Sequence, residues 1–169
     1  KKKPSQKEII QFILGKFIGL MAGIKLTVIL MTIAYLIIVY AKGGGLDWLA
    51  LWSILLLLFE LAIFVALTIL FSAFTTPLAG TIYAVIILYI GHSLELLHKY
   101  AIKAGGLQKY LGDTVYYLMP NLEKFNIRNS IVHGVVPDSG QIIYPIIYSI
   151  FYTTILLCLA NLTLKKRDL

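Results

Sequence analysis

Charge is scarce in this chain: of its 169 residues only 14% are Asp, Glu, Lys or Arg, while 59% are hydrophobic. That balance excludes an ordinary soluble domain, in which about a quarter of residues are charged. Cysteine is nearly absent, and the single Cys158 excludes a fold held by intrachain disulfides. Acidic residues are the scarcer sign, 8 against 15 Lys and Arg, for a net charge of +7. This excess does not point to nucleic acid, which needs a basic face interleaved with aromatics in a soluble module; here the cations gather at the ends of apolar runs. The phosphate-cradling loop that ends in Lys-Ser or Lys-Thr is missing, since Gly43-Gly44-Gly45 has no such lysine. No nucleophile–base–orienter set is visible either. The chain reads as neither an ATPase nor any other enzyme, and no cofactor is implied.

What the chain does have is four long apolar stretches, about 17–41, 46–71, 77–97 and 142–164. Each is long enough for a hydrocarbon core that takes about 20 helical residues. Backbone amides in lipid must pair within their own segment, so the runs are expected to be helices. A transmembrane barrel would instead show alternating polarity in segments of about 10 residues. The expected fold is all-α: a polytopic bundle of four transmembrane helices within 17–164, flanked by a cytoplasmic segment 1–16 and a tail 165–169. Between the third and fourth spans lies an outer segment, 98–141.

Cations set the expected orientation. Lys1, Lys2, Lys3, Lys7 and Lys16 precede the first span, and Lys165, Lys166 and Arg167 follow the last. An even number of spans puts both ends on one side, and the positive-inside tendency makes that side the cytoplasm of a cell (plasma) membrane. Lys25 lies about two turns into the first span, near enough to its start to snorkel the ammonium back to the headgroups. Trp48, Trp52, Tyr40 and Tyr144 fall near the outer boundary as lipid anchors. In the outer segment, Pro120 disfavours a continuous helix and Val136-Pro137-Asp138-Ser139-Gly140 signals a turn. The segment is expected to form two short helices packed on, or dipping into, the outer face.

Three groups of residues invite a functional reading. Gly15, Gly19 and Gly23 recur every fourth residue and form a smooth helical stripe. It serves either ordinary packing within the bundle or a subunit or moving-helix interface. Glu60 stands alone in an apolar run, about 18 Å from Trp48 along a helix and so near the bilayer midplane. A carboxylate there costs at least a few kcal/mol, so it either lines a substrate path or is protonated and bonded to a neighbouring helix. His92, Glu95 and His98 resemble metal ligands in type. Steps of three, however, turn the outer two about 120° apart and separate them by about 9 Å along the axis. The zincin spacing is absent as well. An interfacial polar cluster is the expected role, with His92 and Glu95 able to pair, and no metal site is expected.

Several blocks resemble the permease subunits of export-type ABC transporters, in particular a group linked to multi-copper enzyme maturation. The blocks are Ile9-Ile10-Gln11-Phe12-Ile13-Leu14-Gly15-Lys16-Phe17-Ile18-Gly19, Phe71-Ser72-Ala73-Phe74 with Pro77, and Tyr117-Leu118-Met119-Pro120-Asn121-Leu122-Glu123-Lys124-Phe125-Asn126-Ile127-Arg128-Asn129 followed by Val132-His133-Gly134, with a Lys-Lys-Arg-Asp-Leu tail. The resemblance covers the last four of six spans, so the chain is expected to be part of a longer protein. It implies a separate ATP-binding cassette subunit docking on the cytoplasmic segment, with Ser5, Lys7 and Glu8 as contacts. It also implies a second permease subunit as homodimer partner, re-entrant helices in the outer segment, and a path past Glu60, His92 and Glu95. An ATP-independent channel or ion-coupled carrier, a membrane scaffold, and a metalloenzyme using His92, Glu95, His98 or His133 are the competing classes.

Overall fold

The computed structural model describes residues 5–45, 48–127 and 137–167. Expectations placed on Lys1, Lys2, Lys3, Arg128, Asn129, Val132, His133, Gly134, Val136, Asp168 and Leu169 lie outside those residues, as does the side chain of Arg167. The elements are α1 (Gln6–Ala41), α2 (Trp48–Ser72), α3 (Pro77–Ala104), α4 (Gly106–Leu118), a 3₁₀ turn (Glu123–Phe125) and α5 (Ser139–Arg167). Among the described residues there is no strand. The helices α1, α2, α3 and α5 are long and apolar enough to cross a membrane, at about 54, 38, 42 and 44 Å against a hydrocarbon core of about 30 Å. The protein is a multi-pass membrane helix bundle.

Helix boundaries follow local chemistry. α1 starts at a capping box in which Ser5 Oγ accepts from the Glu8 amide (3.3 Å) and the Glu8 carboxylate accepts from the Ser5 amide (2.6 Å). Two orphan amides are thereby satisfied reciprocally. The helix then runs unbroken from this cap through the whole first span, so Gln6–Lys16 is a continuation of the span. At its other end the chain turns at Gly43, whose φ of +75° favours glycine. α2 stops at Ser72, and α3 is launched by Thr76, whose hydroxyl accepts from the Ala79 amide, with Pro77 in the first turn. α4 ends at Leu118, just ahead of Pro120, whose ring cannot continue the hydrogen-bond ladder.

Hydroxyls inside the long helices are mostly spent locally. Thr27, Thr32, Thr68, Thr154 and Thr163 each donate to the carbonyl four residues back, which satisfies a polar group in an apolar setting without a partner helix. Ser149 differs: its Oγ donates to the Phe59 carbonyl of α2 at 2.7 Å and is fully buried.

The bundle is organised around α2, which packs against α1, α3 and α5. Ser149 meets Phe59, while Ala160 shares a core with Val65 and Ile69, so α5 runs parallel to α2. α1 joins that core through Ile9, Ile13 and Met21. Lys16 Nζ donates to Ser72 Oγ at 3.2 Å, fixing α1 to the α2–α3 turn. Both described ends of the chain and this turn therefore lie at one end of the bundle, here the terminal end. The α1–α2 loop and α4 lie toward the other, the far end.

α3 continues seven residues past its predicted end, to Ala104. α4 then packs back along it, held by His98 Nε2 and Asp113 Oδ1 at 2.8 Å and by a stacked His98–Tyr116 ring pair. After Pro120 the chain dips inward. Leu122, Phe125 and Ile127 are buried in one core with Leu56, Ile63, Ala84 and Leu156. Gly91 makes room for this returning segment, because its carbonyl accepts from the Leu122 amide (3.2 Å) and a Cβ there would stand 2.6 Å from the Pro120 oxygen. The described part of 98–141 thus holds the extended end of α3, the short helix α4, and a buried turn that reaches the middle of the bundle; the second short helix expected there falls on 128–136, outside the described residues.

Candidate functional site

Glu60 lies twelve residues from either end of α2, about 18 Å from each. His92 approaches it from α3, with Nε2 2.7 Å from Glu60 Oε1. The pairing joins two elements whose residues are far apart in sequence, and it leaves the Glu60 side chain only 12% exposed. When Glu60 is ionised, the imidazole N–H donates to it, a charge-assisted contact of the strong kind. Glu123, carried in by the returning segment, places Oε2 3.9 Å from the other imidazole nitrogen, Nδ1. Its second oxygen accepts from Asn126 Nδ2 at 3.2 Å. A carboxylate therefore flanks His92 on each side, one in contact and one a short gap away.

Glu60 and His92 border a cavity of about 240 Å³ that Ser53, Leu57, Phe125 and Asn126 also line. Ser53, Leu57 and Glu60 share one face of α2 by helical spacing. A larger groove of about 770 Å³ opens beside it toward the start of α5, with Glu123, Asp138, Gln141 and Tyr144 among its lining residues. Behind the triad, Asn121 donates its backbone N–H to the Tyr148 hydroxyl (3.1 Å). The Lys124 ammonium sits 5.1 Å over the Tyr148 ring, a cation–π contact that turns this charge toward α5.

The residues singled out from the sequence are distributed unevenly. Glu60 and His92 meet, whereas Glu95 is exposed and His98 bonds Asp113. The His92–Glu95 pairing is replaced by His92–Glu60, since helix α2 offers a carboxylate on the side to which His92 points. Among the described residues no group of three His, Cys, Asp or Glu side chains is arranged to hold a metal ion. Ser5 and Glu8 are engaged in the capping box, while Lys7 is exposed. Gly15, Gly19 and Gly23 are exposed, and nothing lies within 4 Å of where their Cβ atoms would be. Their stripe packs against no helix described here. Lys25 is exposed along an apolar groove of about 760 Å³ between α1, α2 and α5. Tyr40, Trp48, Trp52 and Tyr144 all face outward.

Sequence reasoning missed Ser53, Gly91, Glu123 and Asn126 as parts of this centre. Glu123 carried a readable signal, an acid set between buried-type Leu122 and Phe125 shortly after Pro120. Gly91 carried another, a glycine next to a histidine inside a span.

No family model, no curated protein and no solved structure matches this chain.

Proposed function

We propose that the chain is the membrane-spanning permease subunit of an export-type ABC transporter. In this reading a second copy completes a substrate path, and a separate ATP-binding subunit drives it from the terminal end, which faces the cytoplasm of the plasma membrane. The observation that carries it is the segment after α3: it folds back and seats its tip beside Glu60 and His92, as the permease resemblance implies for re-entrant helices. Two further features support it. α1 is one stiff rod from Ser5 to the far end, so a push on its exposed first turn, where Lys7 projects, is transmitted along the whole span. The Gly15–Gly19–Gly23 stripe is open to a partner helix, where small residues permit close backbone approach.

The test is affinity purification of the full-length protein from its own cells in mild detergent. A stoichiometric partner whose ATPase activity depends on this subunit is expected. A clean preparation with no nucleotide-binding partner overturns the reading. The part-buried Glu60–His92 pair favours one second reading, an ion-coupled carrier, which transports in proteoliposomes without nucleotide.

A further inference from the structure

We propose that Glu60 is a proton-loading site, fed from the far end of the bundle through Glu123 and His92. This goes beyond the permease reading and does not depend on it: the site works in the same way with or without an ATP-binding subunit.

Three titratable groups on three separate elements stand in a row, with His92 in the middle, 2.7 Å from Glu60 and 3.9 Å from Glu123. An imidazole has two distinct nitrogens, one able to accept while the other donates. In the transfer, a protonated Glu123 gives its proton to the Nδ1 lone pair of neutral His92, and the Nε2 proton passes to ionised Glu60. The products are ionised Glu123, neutral His92 in its other tautomer, and protonated Glu60; one proton has moved inward and no other bond has changed. The 3.9 Å gap exceeds a hydrogen bond, and a single bridging water or a side-chain rotation of Glu123 closes it.

Direction comes from what lies on each side. Glu123 lines the groove that opens by Asp138 and Gln141 near the start of α5, so it can exchange protons there. Past Glu60 toward the terminal end, α2 presents Ile63, Ala66 and Leu67, all buried against Ala84 and Leu156. The polar row stops at Glu60. An access path from one side that ends at a midplane carboxylate is a half-channel.

Other groups near the row do not displace this assignment. From the returning segment, Lys124 is held over Tyr148. From α5 come the phenols Tyr148 and Tyr152, the first accepting from the Asn121 amide and the second donating to the Leu118 carbonyl. On α4, Asp113 is engaged by His98. Ser53 of α2 borders the cavity without charge, and Glu95 of α3 is exposed. A metal or organic cation fits less well than a proton, because Glu60 and His92 touch directly and leave no room between them.

The test uses the full chain in phosphatidylcholine membranes, read by infrared difference spectroscopy during a pH jump. Acidification is expected to produce the carbonyl band of a protonated carboxylic acid that is missing in Glu60→Gln and retained in Glu95→Gln. Glu123→Gln and His92→Gln are each expected to keep the band but slow its appearance by about tenfold or more, the scale of positioned proton transfer. Those two variants keep the test alive if Glu60→Gln does not fold. A band that persists in Glu60→Gln, rise times unchanged in both relay variants, or displacement of the band by sodium at constant pH overturns the proposal.

Discussion

α1 and α2 are both apolar enough to cross a membrane, yet they live in different surroundings. α2 is touched on three sides and buries Leu56, Ile63, Val65, Ala66, Leu67 and Ile69. α1 buries only Ile9, Ile13 and Met21, all in its first half, and no residue beyond Met21 is buried. Hydrophobicity sends both helices into lipid but cannot say which one the bundle closes around, because lipid tails are as apolar as leucine. What distinguishes them is the placement of exceptions. α2 carries its one acid where a neighbour can meet it, and α1 carries its glycine stripe where no described helix does.

If that contrast is right, damage around α2 should far outweigh the same damage on α1. The largest effect is expected for Phe125→Ala, which empties the core between the returning segment and α2. A loss of about 3 kcal/mol or more in unfolding free energy is expected, measured by denaturant titration in detergent micelles. Gly91→Ala comes next: the added Cβ meets the Pro120 oxygen, and overpacking of this kind costs about 1–3 kcal/mol. The same titration, with protease sensitivity near Pro120 as a second readout, checks it. Ser5→Ala removes one half of the capping box and should cost about 1 kcal/mol, visible as fraying of the first turn in hydrogen exchange while the centre of α2 stays protected. Smallest for stability is Gly19→Leu, for which no measurable change in the unfolding midpoint is expected because the site is open. Under the permease reading, that same substitution should depress substrate-stimulated ATPase activity with assembly intact. A Gly19→Leu protein that unfolds as easily as Gly91→Ala would erase the distinction between the two helices.

Much of this architecture is legible in the residues, and the remainder fails for identifiable reasons. Four helices follow from run length alone, and the midplane depth of Glu60 follows from counting along α2 from Trp48. Its partner does not, because hydrogen bonding across 32 residues of sequence leaves no periodic trace. The His92–Glu95–His98 spacing suggests one cluster, but helical rotation points the three in different directions, and each takes a separate fate. Ser5-x-x-Glu8 is a capping signature that can be read directly, although position next to a span suggests a docking role instead. Pro120 marks where α4 must end. That the following turn sinks into the bundle depends on Gly91, some thirty residues earlier, and no local rule connects the two.

The contact between Glu60 and His92 also bears on how the chain enters the membrane during synthesis. The two helices that carry the pair are joined by a turn of only four residues, between Ser72 and Pro77. α2 moving alone into lipid would drag an unpartnered carboxylate with it, at a cost of a few kcal/mol. Entering together as a hairpin, α2 and α3 bring acid and base across as one hydrogen-bonded unit. α5 follows later, and Ser149 closes on Phe59 across 90 residues of sequence. The pair is then a feature of biogenesis as well as of the finished bundle, making two adjacent helices a single cargo for the insertion machinery.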